Sequence, residues 1–171
     1  MALLIATFVL TGCLATAFLM IENIAADAVR VEGDPLTDDQ ATAQVVESAR
    51  PIVRVAALRD ATGGYAFMSC RNADEPPYQV AVYMSFFVPQ SDSAKYLKQV
   101  AASMTAHGWT VAPSADEHFG LPLTKDGVAA VFYANAPDSQ FATLRLYGEC
   151  RNTADHRNDN PVWTEITGGL G

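Results

Sequence analysis

Residues 2–21 form an unbroken apolar run, and the first charged residue of the chain is Glu22. As a helix such a run extends about 30 Å, enough to cross a bilayer. The whole formal charge of −8 therefore sits on residues 22–171. The chain reads as one anchor and one acidic domain of about 150 residues, a length that suits a single core. We divide it into a transmembrane anchor or uncleaved signal (1–21), a linker (22–36), a domain (37–150) and a polar C-terminal tail (151–171). Nucleic acid is excluded as a partner, because its phosphates need a basic face. The same charge argues against adsorption to anionic lipid headgroups.

The flank behind the apolar run carries Glu22, Asp27, Glu32, Asp34, Asp38 and Asp39 against a lone Arg30. Lys and Arg are retained on the cytoplasmic side of a membrane, so this flank predicts a domain on the extracytoplasmic side of the cell membrane. Inside the run, Leu10-Thr11-Gly12-Cys13 has the form of a lipobox, in which the cysteine thiol becomes lipidated. Two features depart from that form: no basic residue precedes it, and the chain stays apolar for eight residues after Cys13. An uncleaved helix with Cys13 as a small buried hydrophobe is one reading, and lipidation at Cys13 is the other. Both tether the domain to a membrane through residues 2–21.

Outside the run there are two cysteines, Cys70 and Cys150. In an oxidising compartment they read most simply as a disulfide, whose loop is worth about 4.5 kcal/mol on the chain-entropy model. A redox pair and a metal site are the alternatives. Neither finds a Cys-x-x-Cys or a neighbouring histidine to support it. Each cysteine opens the same tripeptide, Cys70-Arg71-Asn72 and Cys150-Arg151-Asn152. Bridged strand ends would bring Arg71 and Arg151 together as a candidate anion site. The plainer reading pairs these arginines with Asp74 and Asp155 on the surface.

Thr37-Asp38-Asp39-Gln40 is a capping box, and Ala41, Val45, Ala49, Ile52 and Ala56 follow at helical spacing. Pro51 is expected to kink or split this helix after Arg50, and Gly63-Gly64 to close the segment. Residues 64–70 and 78–88 read as a hairpin, the second strand alternating from Tyr78 through Val80, Val82, Met84 and Phe86 to Val88. A second helix is capped at Ser91 or Asp92, carries the stripe Leu97, Val100, Ala101 and Met104, and stops at Gly108 with Trp109 behind it. Residues 113–120 form an irregular loop. Residues 121–135 then make a hairpin turning at Lys125-Asp126-Gly127, and 141–150 a last strand burying Leu144, Leu146 and Cys150. The expected fold is α+β in the order α-β-β-α-β-β-β, with two helices on one face of a mostly antiparallel sheet. Residues 151–160 read as a surface loop. Trp163, Ile166 and Leu170 could fold back, while Gly168, Gly169 and Gly171 suggest fraying.

The histidines carry little. His107 suits the last turn of a helix, where positive charge meets the dipole. His118 sits beside Asp116 and Glu117, too close in sequence to converge on one metal unaided. His156, flanked by Asp155 and Asp159, could serve as a base with an orienting carboxylate or as a weak metal ligand. No nucleophile elbow, phosphate loop, dinucleotide fingerprint or His-Glu-x-x-His is present. No cofactor, metal site or catalytic residue is expected.

Several stretches together have the character of a family: residues 63–70, Pro76-Pro77-Tyr78, Ala106-His107-Gly108-Trp109, Lys125-Asp126-Gly127-Val128, and Tyr147-Gly148-Glu149-Cys150-Arg151-Asn152. They resemble the LppJ-like lipoproteins, small mycobacterial envelope proteins, from about Thr37 to His156. The resemblance implies an actinobacterial cell-envelope location and a paired Cys70–Cys150; it carries no activity. The expectation is a non-enzymatic, tethered domain binding an envelope protein or wall component, with Tyr65, Tyr83, Tyr133 and Tyr147 as docking surface. The rivals are a carrier of a small hydrophobic ligand or lipid, and a hydrolase or metal-dependent enzyme using His118 or His156.

Overall fold

The capping box at Thr37 forms as its sequence predicts. The Thr37 hydroxyl accepts from the Gln40 N–H, and the Gln40 side chain accepts from the Thr37 N–H at 3.0 Å. It starts helix α1 (Asp38–Val55) in a computed structural model that describes residues 33–71, 75–112, 122–134 and 139–171. Gly33–Gly171 forms one compact unit. The expected membrane helix, Cys13, Asn72, Asp74 and the loop with His118 lie outside the described residues. None of the described helices is long and apolar enough to cross a membrane.

Pro51 does not split α1, which runs through it as one helix, and this corrects the expected break after Arg50. Its ring lies on the exposed face, as does Glu47, whose carbonyl loses its usual donor there. Ala49 and Ile52, fully buried on either side, hold the helix against the sheet. The helix ends instead at Ala57, a left-handed residue with φ 49°, and the Leu58 N–H bonds the Val53 carbonyl at 3.0 Å. This is the closing geometry usually given to glycine.

Gly63-Gly64 is therefore no terminus. Both residues lie inside strand β1 (Arg59–Ser69), which pairs with β2 (Tyr78–Phe87) in a hairpin. A three-residue 3-10 turn (Gln90–Asp92) leads into α2 (Ser93–Ala106), and Asp92 makes no side-chain capping bond. At the other end Gly108 has φ 90°. Its N–H bonds the Thr105 carbonyl, and the Trp109 N–H bonds the Met104 carbonyl. Met104 and Trp109 are both buried, completing a Schellman motif with its apolar contact.

Strands β3 (Thr110–Val111), β4 (Leu123–Lys125), β5 (Val128–Ala134), β6 (Phe141–Tyr147) and β7 (Thr164–Glu165) follow. The sheet order is β3-β4-β5-β6-β2-β1-β7, and every registered pair is antiparallel. The expected α+β class holds, with two short edge strands beyond the expected order. Asp126 and Gly127, both at positive φ, make the two-residue turn between β4 and β5. One core joins Val45 and Ile52 of α1, Val100 and Met104 of α2, and Val82, Met84, Phe86, Leu144 and Leu146 of the sheet.

The C-terminal segment does not fray, a second correction. Strand β7 pairs with Gly64 and Tyr65, the Ile166 N–H bonds the Gly63 carbonyl, and Leu170 is buried in the core. The two glycines make this closure possible. A Cβ at Gly63 would lie 2.9 Å from Met84 and from the Tyr83 carbonyl, and one at Gly64 would lie 3.0 Å from Thr164 and Trp163.

The two helix ends give a matched test. Gly108→Ala meets no close atom but forces alanine into a left-handed turn, whereas Ala57→Gly relieves the same strain. Denaturant unfolding should show a loss of about 1 kcal/mol for the first and a gain of up to about 1 kcal/mol for the second.

Candidate functional site

The repeated tripeptide does two different jobs. Cys70 and Cys150 are bonded to each other. Around the second copy the chain makes a junction. The Arg151 guanidinium donates from Nε to the Asp34 carbonyl at 2.8 Å and from Nη1 to Glu149 at 2.9 Å. Glu149 is held in turn by Gln44 of α1, at 2.8 Å. Asn152 is fully buried. Its Nδ2 donates to Asp38 at 2.7 Å and to the Leu36 carbonyl at 3.3 Å, and its Oδ1 accepts from the Ala154 N–H at 3.0 Å. Its backbone exchanges two hydrogen bonds with Tyr78 at the start of β2.

Arg151 is thus committed to the lead-in of α1 and neutralised by Glu149, so it offers no fork to an outside anion. It does not pair with Asp155, whose partner is Arg157, at 2.9 and 2.6 Å. Those hydrogen bonds pull the Asp155 carboxyl down to about 2. The contribution of this pair is present above the ordinary aspartate value and lost as pH falls through about 2. Being fully exposed, it adds little. Arg71, in the first copy, is exposed.

His156 belongs to the same junction. Its ring is almost buried, stacked on Phe67 at 3.7 Å with Tyr78 edge-on. Nδ1 faces Asp159 at 2.7 Å, while Nε2 faces Asn152 Oδ1 at 3.1 Å and Asp38 at 3.5 Å. Both nitrogens are engaged in holding the tail. The polar loop expected over residues 151–160 is in this respect an anchored connection. His107 sits at the end of α2, with its Nδ1 2.7 Å from the Ser103 carbonyl.

The tyrosines sort by strand parity. Tyr65 pairs with Val82 and packs against the core, so it lies on the helix side, beside Phe67 and His156 in an open groove along the tail. Tyr83, Tyr133 and Tyr147 lie on the opposite face and converge on Arg145. The Arg145 guanidinium sits 4.9 Å from the Tyr133 ring centre and 5.9 Å from that of Tyr83, as cation–π contacts. A hydrogen bond with Tyr147 raises Arg145 above its ordinary value; burial, then Tyr147, raises Tyr133. Trp163, just before β7, leans on Tyr83, ring centres 6.0 Å apart. Three of the four expected docking residues are therefore together, and Arg145 and Trp163 join them. Arg145 was missed because a single arginine in a strand has no motif. Its position opposite Tyr83 follows from register alone.

The family described as "Putative lipoprotein LppJ" matches residues 37–169. The chain belongs to that family. Among similar proteins are those named "Putative lipoprotein LppJ" in Mycobacterium tuberculosis and in Mycobacterium bovis. Each is 44% identical over 137 residues, which cover 80% of this chain and 72% of the relative. No solved structure matches the chain. The resemblance read from the motifs holds, and the matched residues take in α1, the sheet and the Glu149–His156 side of the junction, through Gly169.

The junction predicts its own cost. Asn152→Ala leaves the Asp38 carboxylate, the Leu36 carbonyl and the Ala154 N–H without their buried partner, and should lose about 2–3 kcal/mol in urea unfolding. A loss under about 0.5 kcal/mol would mean the amide bonds hold nothing together.

Proposed function

We propose that this member of the LppJ family is a membrane-tethered, non-enzymatic domain on the extracytoplasmic side. It binds another envelope component through the sheet face opposite its helices. The carrying observation is the convergence of Tyr83, Tyr133 and Tyr147 on Arg145, on a face that no described helix covers. Tyrosine and arginine supply large contact area and directional donors at interfaces. The lipoprotein name of the relatives and the apolar run at residues 2–21 support the tether. The paired cysteines fit an oxidising compartment.

The carrier reading finds less support. Phe86, Ile52, Met84, Met104 and Leu123 fill the layer between helices and sheet. The enzyme reading loses its best candidate base, since both nitrogens of His156 hold the tail.

The test is photocrosslinking in the native membrane with a benzoylphenylalanine at Phe141, on the proposed face, or at Glu47, exposed on α1. The proposal expects a discrete adduct from Phe141 and none from Glu47. Equal labelling from both positions, or none from either, would contradict it.

A further inference from the structure

Four of the six large apolar side chains that are markedly exposed among the described residues belong to one face: Met68, Tyr83, Phe141 and Trp163. The strand register arranges that face in rows. Arg59, Phe87 and Phe141 lie across one end; Tyr83, Arg145 and Val131 across the middle; and Ala81, Tyr147 and Ala129 beyond them. Arg59 covers the Phe87 ring at 4.4 Å. The three rows that cross all four long strands cover roughly 400 Å² of sheet at ordinary spacings. A footprint of that size suits the centre of a protein interface.

The charge is the reverse of the rest of the molecule. The chain carries −8 in all, yet this face holds Arg145 in its middle row and Arg59 at one end. The acidic residue that the register adds is Glu165, at the β7 edge, which accepts from Thr167. Arg151 and Arg157 each pair with a carboxylate, whereas no described carboxylate pairs with Arg145. Its side chain is exposed beside the phenol rings, and a guanidinium there suits a fork with an oxyanion.

We propose that this face docks a second envelope protein, Arg145 receiving an Asp or Glu side chain of that partner within the frame of Tyr83, Tyr133 and Tyr147. The inference rests on the function proposed above and names the partner's chemistry. A second copy of this chain is a poor occupant, because like faces would set Arg59 and Arg145 against the same cations, and the carboxylate on the face, Glu165, lies at its β7 edge and already accepts from Thr167. A lipid surface gains only about 1 kcal/mol per cation and meets a strongly acidic domain. A small saccharide favours a concave site, and this face is the flat side of a sheet.

The experiment uses the full chain in its membrane. The protein captured from Phe141 is identified and the crosslinked peptide sequenced, and capture is repeated with Arg145→Glu and Arg145→Lys. The proposal expects at least a tenfold loss with Arg145→Glu, a smaller loss with Arg145→Lys, and an Asp or Glu beside the crosslinked residue. Changing that acid to Arg should abolish capture by the wild type and restore it to Arg145→Glu. An unchanged melting temperature for both variants separates lost docking from lost folding. Capture indifferent to Arg145, a crosslinked peptide without an acid, or an adduct with lipid, glycan or a second copy would each overturn the inference. A protein captured independently of Arg145 would still leave the docking face standing; no adduct from Phe141 would remove both.

Discussion

The buried amide of Asn152 is the contact on which the rest of this domain depends. An unsatisfied amide in a core costs on the order of 1–3 kcal/mol, so its position is tolerable only with every partner in place. Its side-chain partners are Leu36 and Asp38 where α1 begins and Ala154 and His156 in the tail, while the Asn152 backbone bonds Tyr78 where β2 begins. The Cys70–Cys150 bond lies two residues away and fixes the end of β1 to the same junction. Arg151 adds the clamp on Asp34. The start of α1 is thereby registered against the sheet, and its apolar stripe meets β2 and β6 at one setting.

From that setting the two faces of the sheet acquire different roles. One is filled by α1 and α2, with Val82, Met84, Phe86, Leu144 and Leu146 inside. The other keeps Tyr83, Arg145, Tyr133 and Tyr147 in adjacent rows and takes Trp163 and, at its edge, Glu165 from the tail. The glycines at 63 and 64 matter here as well. They let β7 approach β1 closely, and this brings Trp163 beside Tyr83. Closure of the domain and composition of the exposed face are therefore coupled through one strand edge.

Much of this was legible in the sequence where a local rule has one outcome. The Thr37–Gln40 box, the Gly108 stop and the Asp126-Gly127 turn each formed at the expected residues. The end of α1 was not legible, because an alanine takes the left-handed position that glycine usually marks. Pro51 suggested a break that burial on either side of it overrides. Gly63-Gly64 signalled punctuation, yet the pair serves close approach between strands, which depends on residues a hundred positions later. Strand alternation alone places Tyr65 opposite Tyr83, once the pairing of β1 with β2 is known. The second Cys-Arg-Asn was conspicuous for its arginine, while the asparagine holds the junction. Nothing in a tripeptide reveals which of its side chains will be buried.

The most direct test of the junction is native-state hydrogen exchange of the unmodified domain. If Asn152 ties the molecule together, the amides of Tyr78, Asn152 and Ile166 should exchange through the same global opening as Val82 and Leu144. Their opening free energies should then fall together as denaturant is added. Exchange of Asn152 and Ile166 by local fraying, with Val82 and Leu144 still protected, would show that the sheet and helices stand without the junction.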